Sequence, residues 1–361
     1  MPIRRPNNDD FMARRMDKRL SEMEASISNI YGEASEEATN KLQKYLERFE
    51  ERDAVMYARY VEEEITEEEW LRWRANHILR TQRYEAVIDS ITDVLVNADI
   101  SAMALIDGNL PYVIAQSFNF SQFVGNIIAE DTGLNVASFQ IYNTRSVQAL
   151  IRDNPQLLPV VDIPRDRQWN RTHINTAVTQ GIIQGDSMDR IASRLQTVVN
   201  MDDNAAIRNA RTSVTAAENM GRNESYNFIR SQGIDMVKEW SATHDSRTRD
   251  THLLLDGTRP NEEGYFGEGI LNADYLMQYP ADPNGEPQER YNCRCRLNIV
   301  PPEYSRQVNE DNYRTWMRDN YPEDYEQITE HDRTNYRYEQ SRQEALLRQR
   351  RLRDERRRNN G

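Results

Sequence analysis

The sequence has little of what a secreted, disulfide-bonded or membrane-spanning protein needs. Its 361 residues include only two cysteines, Cys293 and Cys295, and a pair so close in sequence does not form a disulfide framework. We therefore expect a chain made in a reducing cytoplasm. The arginine-rich start has no continuous apolar stretch, which predicts no secretion signal. No apolar run is long enough to cross a bilayer, so we expect no membrane partner.

Apolar side chains are also scarce. Hydrophobic residues make up 38% of the chain and charged residues 29%, so apolar groups are spread more thinly than in an ordinary compact enzyme. We expect an elongated, mainly helical molecule. Aromatic residues reach 9%, which is too many for a disordered chain. The formal net charge of -13 argues against a nucleic-acid binder overall, although it leaves room for a local basic patch.

Helical spacing of apolar residues dominates the first two thirds of the sequence. Residues 1–60 predict a charged arm of one or two solvated helices. Residues 61–200 predict a helical region, opened by a capping box at Thr66 and Glu69. This region carries two apolar stripes, at 84–95 and 112–127, that fit either a core or a groove for a partner.

Breaks between the helices are predicted from glycine, proline and capping residues. Asp107-Gly108 and Pro111 should interrupt one helix. Gly185 should end another, Asp186-Ser187 should begin the next, and a further helix should span about 204–230.

After Gly233 the helical pattern gives way to a mixed one. Together with the helix at about 204–230, this part of the chain is predicted to form a small mixed domain at 201–302. Short strands are predicted at Val237–Ala242 and Leu297–Val300, with a Gly-, Pro-, Asn- and Asp-rich stretch between them. Residues 303–361 form a polar, tyrosine-rich segment with an arginine-rich tail. The expected fold class is therefore mainly α with a small α+β module near the C-terminus.

The most specific pattern lies between residues 238 and 296. Its residues combine charged, thiol and turn-forming groups in a segment too short to bury much apolar core. In order they are Lys238, Trp240, Asp245, Arg247, Thr248, Arg249, His252, Asp256, Gly257, Asn292, Cys293, Arg294 and Cys295.

This order of residues resembles the Mu F-like family of phage minor head (head morphogenesis) proteins, over roughly 204–300. The resemblance implies a virion protein in the capsid interior near the portal, acting in head assembly and in genome packaging and ejection. It implies the portal protein and the major capsid and scaffold proteins as partners. It implies no enzymatic activity.

The cysteine pair is open to two interpretations. By strand alternation both thiols point to one side, so with His252, and His244 or Asp245, they would complete a tetrahedral zinc site. The resemblance implies that some family members have a C-x-x-C pair at the positions of Arg249 to His252, which together with the later cysteine pair would make a four-thiolate site. This chain departs from that pattern, because Arg249 stands in place of the first of those cysteines. The alternative is that Asp245 and arginines of the motif hold loops by charge-assisted bonds, with His252 a structural histidine.

Two further classes of function use the same residues. A metal-dependent nuclease or hydrolase would use Asp245 and His252 as base or ligands and Arg247 as a phosphate clamp. The sequence has no second carboxylate cluster, glycine-rich phosphate loop or nucleophile motif beside them, so we expect no enzyme. A zinc-stapled, nonspecific DNA-binding protein is the other alternative. Its contacts with packaged double-stranded DNA would come from the tail arginines, which are Arg348, Arg350, Arg351, Arg353, Arg356, Arg357 and Arg358.

Overall fold

The computed structural model describes residues 11–79, 82–133, 141–142, 144–154, 157, 163–234, 236–300 and 310–326. The tail arginines lie outside these ranges. In chain order the elements are α1 Phe11–Val61, α2 Glu67–Arg74, α3 Gln82–Thr132, α4 Thr144–Asp153, α5 Ile163–Ile183, α6 Met188–Ser231, β1 Val237–Ser241, α7 Asp250–Leu255, α8 Pro287–Arg290, β2 Arg296–Val300 and α9 Glu310–Asn320. The mainly α fold with a small α+β module near the C-terminus is confirmed.

The chain divides into two compact units. Among the described residues, unit 1 contains those within 11–24, 105–157 and 208–326, and unit 2 contains those within 25–104 and 163–207. Each is described by itself below. Unit 1 contains the small mixed module, which brings together segments that are far apart in sequence.

The predicted break at 107–111 is wrong, because α3 continues through Pro111. Proline removes one helical hydrogen bond, a cost that favourable packing on both sides offsets. Leu110, Val113 and Ile114 are fully buried and extend one apolar stripe through the proline. Asn109 adds local support, since its Nδ2 donates to the Leu105 carbonyl at 2.7 Å.

A second prediction also needs correction: the helices expected after Asp186-Ser187 and from about 204 are one helix, α6. Buried apolar residues lie on both sides of the expected junction, up to Val199 and again from Ala206, and the stretch between them contains no proline or glycine that would end a helix. Two terminal signals are confirmed. Gly185 adopts a φ of 73° after α5, and Thr66 forms a capping box with Glu69 at the start of α2.

The two apolar stripes singled out in the sequence are core. Their buried members are Tyr84, Ile88, Ile91, Val94, Leu95, Tyr112, Val113, Ile114, Phe120, Phe123, Val124 and Ile127. These faces therefore pack within the chain. Among the described residues, no helix is both long and apolar enough to span a membrane.

In unit 1 the strands β1 and β2 form a two-stranded antiparallel sheet. Val237 pairs with Val300 and Trp240 with Leu297. Trp240 and Leu297 are both fully buried. Two of the four predicted strand ends, Val237 and Val300, are exact, and the other two differ from the observed ends by one residue.

Unit 2 contains a group of partly buried acidic side chains. Burial raises the pKa of Asp99 to about 6, although Tyr31 and Asn170 donate hydrogen bonds to its carboxylate at 2.7 and 3.0 Å. Burial, together with the charges of Asp99 and Asp166, raises the pKa of Asp202 to about 8. Asp202 Oδ2 is buried without a hydrogen-bond partner among the described residues.

This raised pKa predicts a pH-dependent cost to stability. The carboxyl of Asp202 has a pKa of about 8 in the folded protein and near 3.8 in the unfolded chain, so the folded protein binds this proton more tightly. The free energy of unfolding therefore falls as the pH rises from about 4 to about 8. Asp202→Asn should therefore stabilise the protein at pH 8, by on the order of 2 kcal/mol. The gain should shrink towards pH 5.

Urea unfolding of both proteins at the two pH values measures this difference. The exposed Asp189, near the start of the same helix, offers a matched control: Asp189→Asn should leave the pH dependence of unfolding nearly unchanged. If the free energy of unfolding depended on pH in the same way in the wild type and in Asp202→Asn, the raised pKa of Asp202 would be contradicted.

Candidate functional site

The site is built on the β1 side of the module, where Lys238 and Trp240 are both buried. Trp240 packs edge-on against His252 and Phe266, with ring centroids 5.2 and 5.6 Å apart. Lys238 Nζ donates to Asn223 Oδ1 at 2.9 Å and to the Gln278 carbonyl at 3.1 Å. Burial lowers the pKa of Lys238 to about 8, against the opposing charge of Asp282.

The loop after β1 is organised by Asp245. Its carboxylate accepts hydrogen bonds from the Arg247 amide at 2.9 Å and, in a two-pronged ion pair, from the guanidinium of Arg294. These contacts, with Arg294 first, hold the pKa of Asp245 well below its usual range. Thr248 Oγ1 donates to the Thr243 carbonyl at 2.5 Å, and Arg249 donates to the Tyr291 carbonyl at 2.5 Å. The loop is thus tied to the segment that precedes β2.

A second turn follows α7, at Asp256 and Gly257. Asp256 accepts from the Ala242 amide at 3.0 Å, and its other carboxylate oxygen lies 3.0 Å from His244 Nε2. Gly257 adopts a φ of 71°, and its amide donates to the Trp240 carbonyl at 2.7 Å. This positive φ is the reason the turn requires glycine.

His252, Cys293 and Cys295 converge at the centre of the module. All three are about 1% exposed, and their ligand atoms lie within 4.8 Å of one another. His252 Nδ1 is 3.3 Å from Cys295 Sγ and 3.7 Å from Cys293 Sγ. The structure therefore brings together the three residues that the sequence singled out for a metal. The two other candidate ligands point elsewhere, His244 to Asp256 and Asp245 to Arg294.

The two thiols are not equivalent. A hydrogen bond from Cys293, followed by the contact with His252, lowers the pKa of Cys295 to about 5 despite its burial. The same hydrogen bond, with burial, raises the pKa of Cys293. Cys295 is therefore the more acidic of the two thiols.

The closing segment enters β2 through Asn292. Its φ of 57° lies in the left-handed region, which asparagine tolerates better than most residues. Its amide donates to Thr212 Oγ1 on α6 at 3.1 Å, and the Cys293 amide donates to the Arg290 carbonyl at 3.1 Å. These bonds fix the backbone that carries both thiols.

Sequence reasoning missed the polar face of α6 that supports this backbone. Asn219 is fully buried and donates to the carbonyls of Pro280 and Cys295 at 2.9 and 3.0 Å, while its Oδ1 accepts from the Leu297 amide at 2.7 Å. Glu218 is buried and pairs with Arg222 at 3.1 Å. The available signal was a set of polar residues at helical spacing within an otherwise buried helix.

A cleft of about 590 Å³ lies beside the thiols in unit 1. Five arginines line it together with Cys295, namely Arg211, Arg247, Arg249, Arg294 and Arg296. Several are neutralised by acids: Arg211 pairs with Glu24 at 2.6 Å, and Arg296 contacts Asp17. The cleft is therefore polar and only partly charge-compensated.

Comparison with known proteins places this module in a family context. Residues 172–298 match the family model described as "Phage Mu protein F like protein". The minor head protein GP7 of Bacillus phage SPP1 is 22% identical over 302 residues, which is 82% of this chain and 87% of that protein.

Two other relatives cover shorter stretches. The uncharacterized protein YqbB of Bacillus subtilis is 30% identical over 35% of this chain and 41% of its own length. The NAD(+)-arginine ADP-ribosyltransferase EFV of Enterococcus faecalis is 26% identical over 39% of this chain, which spans 28% of that protein. No solved structure shows a significant match. The chain thus carries a domain of the Phage Mu protein F-like family at residues 172–298.

Proposed function

We propose that the chain is a minor head protein of a tailed phage, which associates with the portal protein and acts in head assembly and in genome packaging and ejection. The observation that carries this proposal is the extent of the similarity to the SPP1 minor head protein, which reaches well beyond the Mu F-like domain. Since both chains align over more than four fifths of their lengths, a shared role of the whole protein explains the match better than a borrowed module does.

The contacts of the motif residues support a scaffold role without turnover. The residues that a hydrolase would use are engaged in other bonds: Asp245 with Arg294, and His252 with the thiols. His252 is also almost completely buried. A general base must reach a proton of its substrate, and a side chain held in this way is poorly placed for that task.

The partners follow from the same role. The portal protein, the major capsid protein and the scaffold are the proteins that a minor head protein meets in the capsid interior near the portal. Packaged double-stranded DNA is a secondary, nonspecific partner of the tail arginines, whose affinity would fall as salt rises.

Portal association can be tested by co-expression with a tagged portal protein of the same phage. We expect the chain to co-elute with the portal protein through affinity and size-exclusion steps, and not with the portal protein of an unrelated phage. Separate elution at both low and moderate salt would contradict association with the portal protein. The broader role in phage heads would then be tested by looking for the chain in purified phage particles.

A further inference from the structure

We infer that His252, Cys293 and Cys295 form a zinc site, with Glu289 as the outer partner of the histidine. The three donors are the types that zinc prefers in proteins, an imidazole and two thiolates. They come from the α7 helix and the segment entering β2, which lie 41 residues apart between His252 and Cys293. The inference stands independently of the proposed role in phage heads.

The distances match tetrahedral coordination. With Zn–S near 2.3 Å and Zn–N near 2.0–2.1 Å, a tetrahedral ion holds its nitrogen and sulfur ligands about 3.6 Å apart. The Nδ1-to-Sγ distances of 3.3 Å to Cys295 and 3.7 Å to Cys293 bracket that value. An ion therefore fits between the imidazole nitrogen and either sulfur with shifts of a few tenths of an ångström.

The far side of the imidazole supplies an independent observation. His252 Nε2 is buried and makes no aligned hydrogen bond, yet it lies 3.1 Å from Glu289 Oε2. Thr251 Oγ1 donates to the same carboxylate oxygen at 2.9 Å and fixes its position. A metal on Nδ1 places the ring proton on Nε2, and a small rotation of the ring then aligns that proton with Glu289. This carboxylate–histidine–metal arrangement is typical of zinc sites in proteins.

Among the described residues, the group of potential ligands has three members. A tetrahedral ion would take its fourth ligand from outside this group, and water from the cleft that Cys295 lines would supply it. By joining α7 to the start of β2, the ion closes the loop-rich stretch between them and stabilises a module with a small apolar core.

Elemental analysis of the full chain, purified under reducing conditions without chelator, tests the site. We expect about one zinc per chain, consistent with a single tetrahedral site. His252→Asn should lose it, while the matched control His244→Asn should keep it, because His244 is exposed and turned towards Asp256. Cobalt(II) added to the metal-free protein should produce thiolate-to-metal charge transfer and the visible bands of a tetrahedral site in the wild type and in His244→Asn.

Thiol labelling of the wild type keeps the test decisive if His252→Asn fails to fold. Zinc should slow the modification of both cysteines by at least roughly tenfold and raise the Tm by several degrees, since metal binding is coupled to folding. A wild-type chain that carries no zinc, gives no cobalt spectrum and labels equally fast with and without zinc would overturn the inference.

Discussion

Trp240→Ala should destabilise unit 1 by about 3–5 kcal/mol, the cost of truncating a fully buried tryptophan. The Trp240 side chain has no exposed surface and contacts both His252 and Phe266, so its removal leaves a cavity between the sheet and the α7 helix. The two partners belong to different segments, His252 to the α7 helix and Phe266 to the stretch between α7 and α8, which limits how far the site can collapse. Urea unfolding followed by near-ultraviolet circular dichroism measures the loss.

Trp169→Ala provides the control for this substitution. Trp169 is 37% exposed and stacks on His173 of the same helix, so its truncation should cost less than about 1 kcal/mol. Equal costs for the two substitutions would mean that the module is not organised around Trp240.

Asn219→Ala should be the second large effect, a loss of about 3 kcal/mol. The substitution leaves two buried carbonyls, of Pro280 and Cys295, and the Leu297 amide without their side-chain partner, and each orphaned group costs about 1–3 kcal/mol. The gain in helix propensity from alanine offsets only a fraction of this. The same unfolding measurement applies.

Asn227 lies on the same helix and is exposed. Asn227→Ala should therefore leave the free energy of unfolding unchanged or slightly raise it. A comparable decrease in the free energy of unfolding in both variants would show that α6 is destabilised by the loss of any asparagine. The three hydrogen bonds of Asn219 would then not explain the effect.

Local signals in the sequence were sufficient for several features. The capping box at Thr66, the glycine that ends α5 and the two strands depend on short-range chemistry, and each was found where it was predicted. The sequence also singled out His252, Cys293 and Cys295 as a group, and the structure brings them together, although both cysteines lie just before β2 and not on a strand.

Features that depend on burial and long-range packing could not be predicted from local signals in the sequence. Pro111 reads as a helix breaker locally, yet α3 continues because apolar residues on both sides are buried. Asn219 reads as a surface residue of a helix, and its role appears only once β2 and the Pro280 loop lie against it. The joining of 11–24 with 208–326 in one unit is likewise a long-range packing result that no local pattern encodes.

Under the proposed function, this chain is a structural component of phage heads. Mass spectrometry of gradient-purified particles from the phage or prophage that encodes it tests that claim most directly. The chain should be present in mature heads, at a small number of copies relative to the major capsid protein. Its absence from both mature heads and their assembly precursors would contradict the claim.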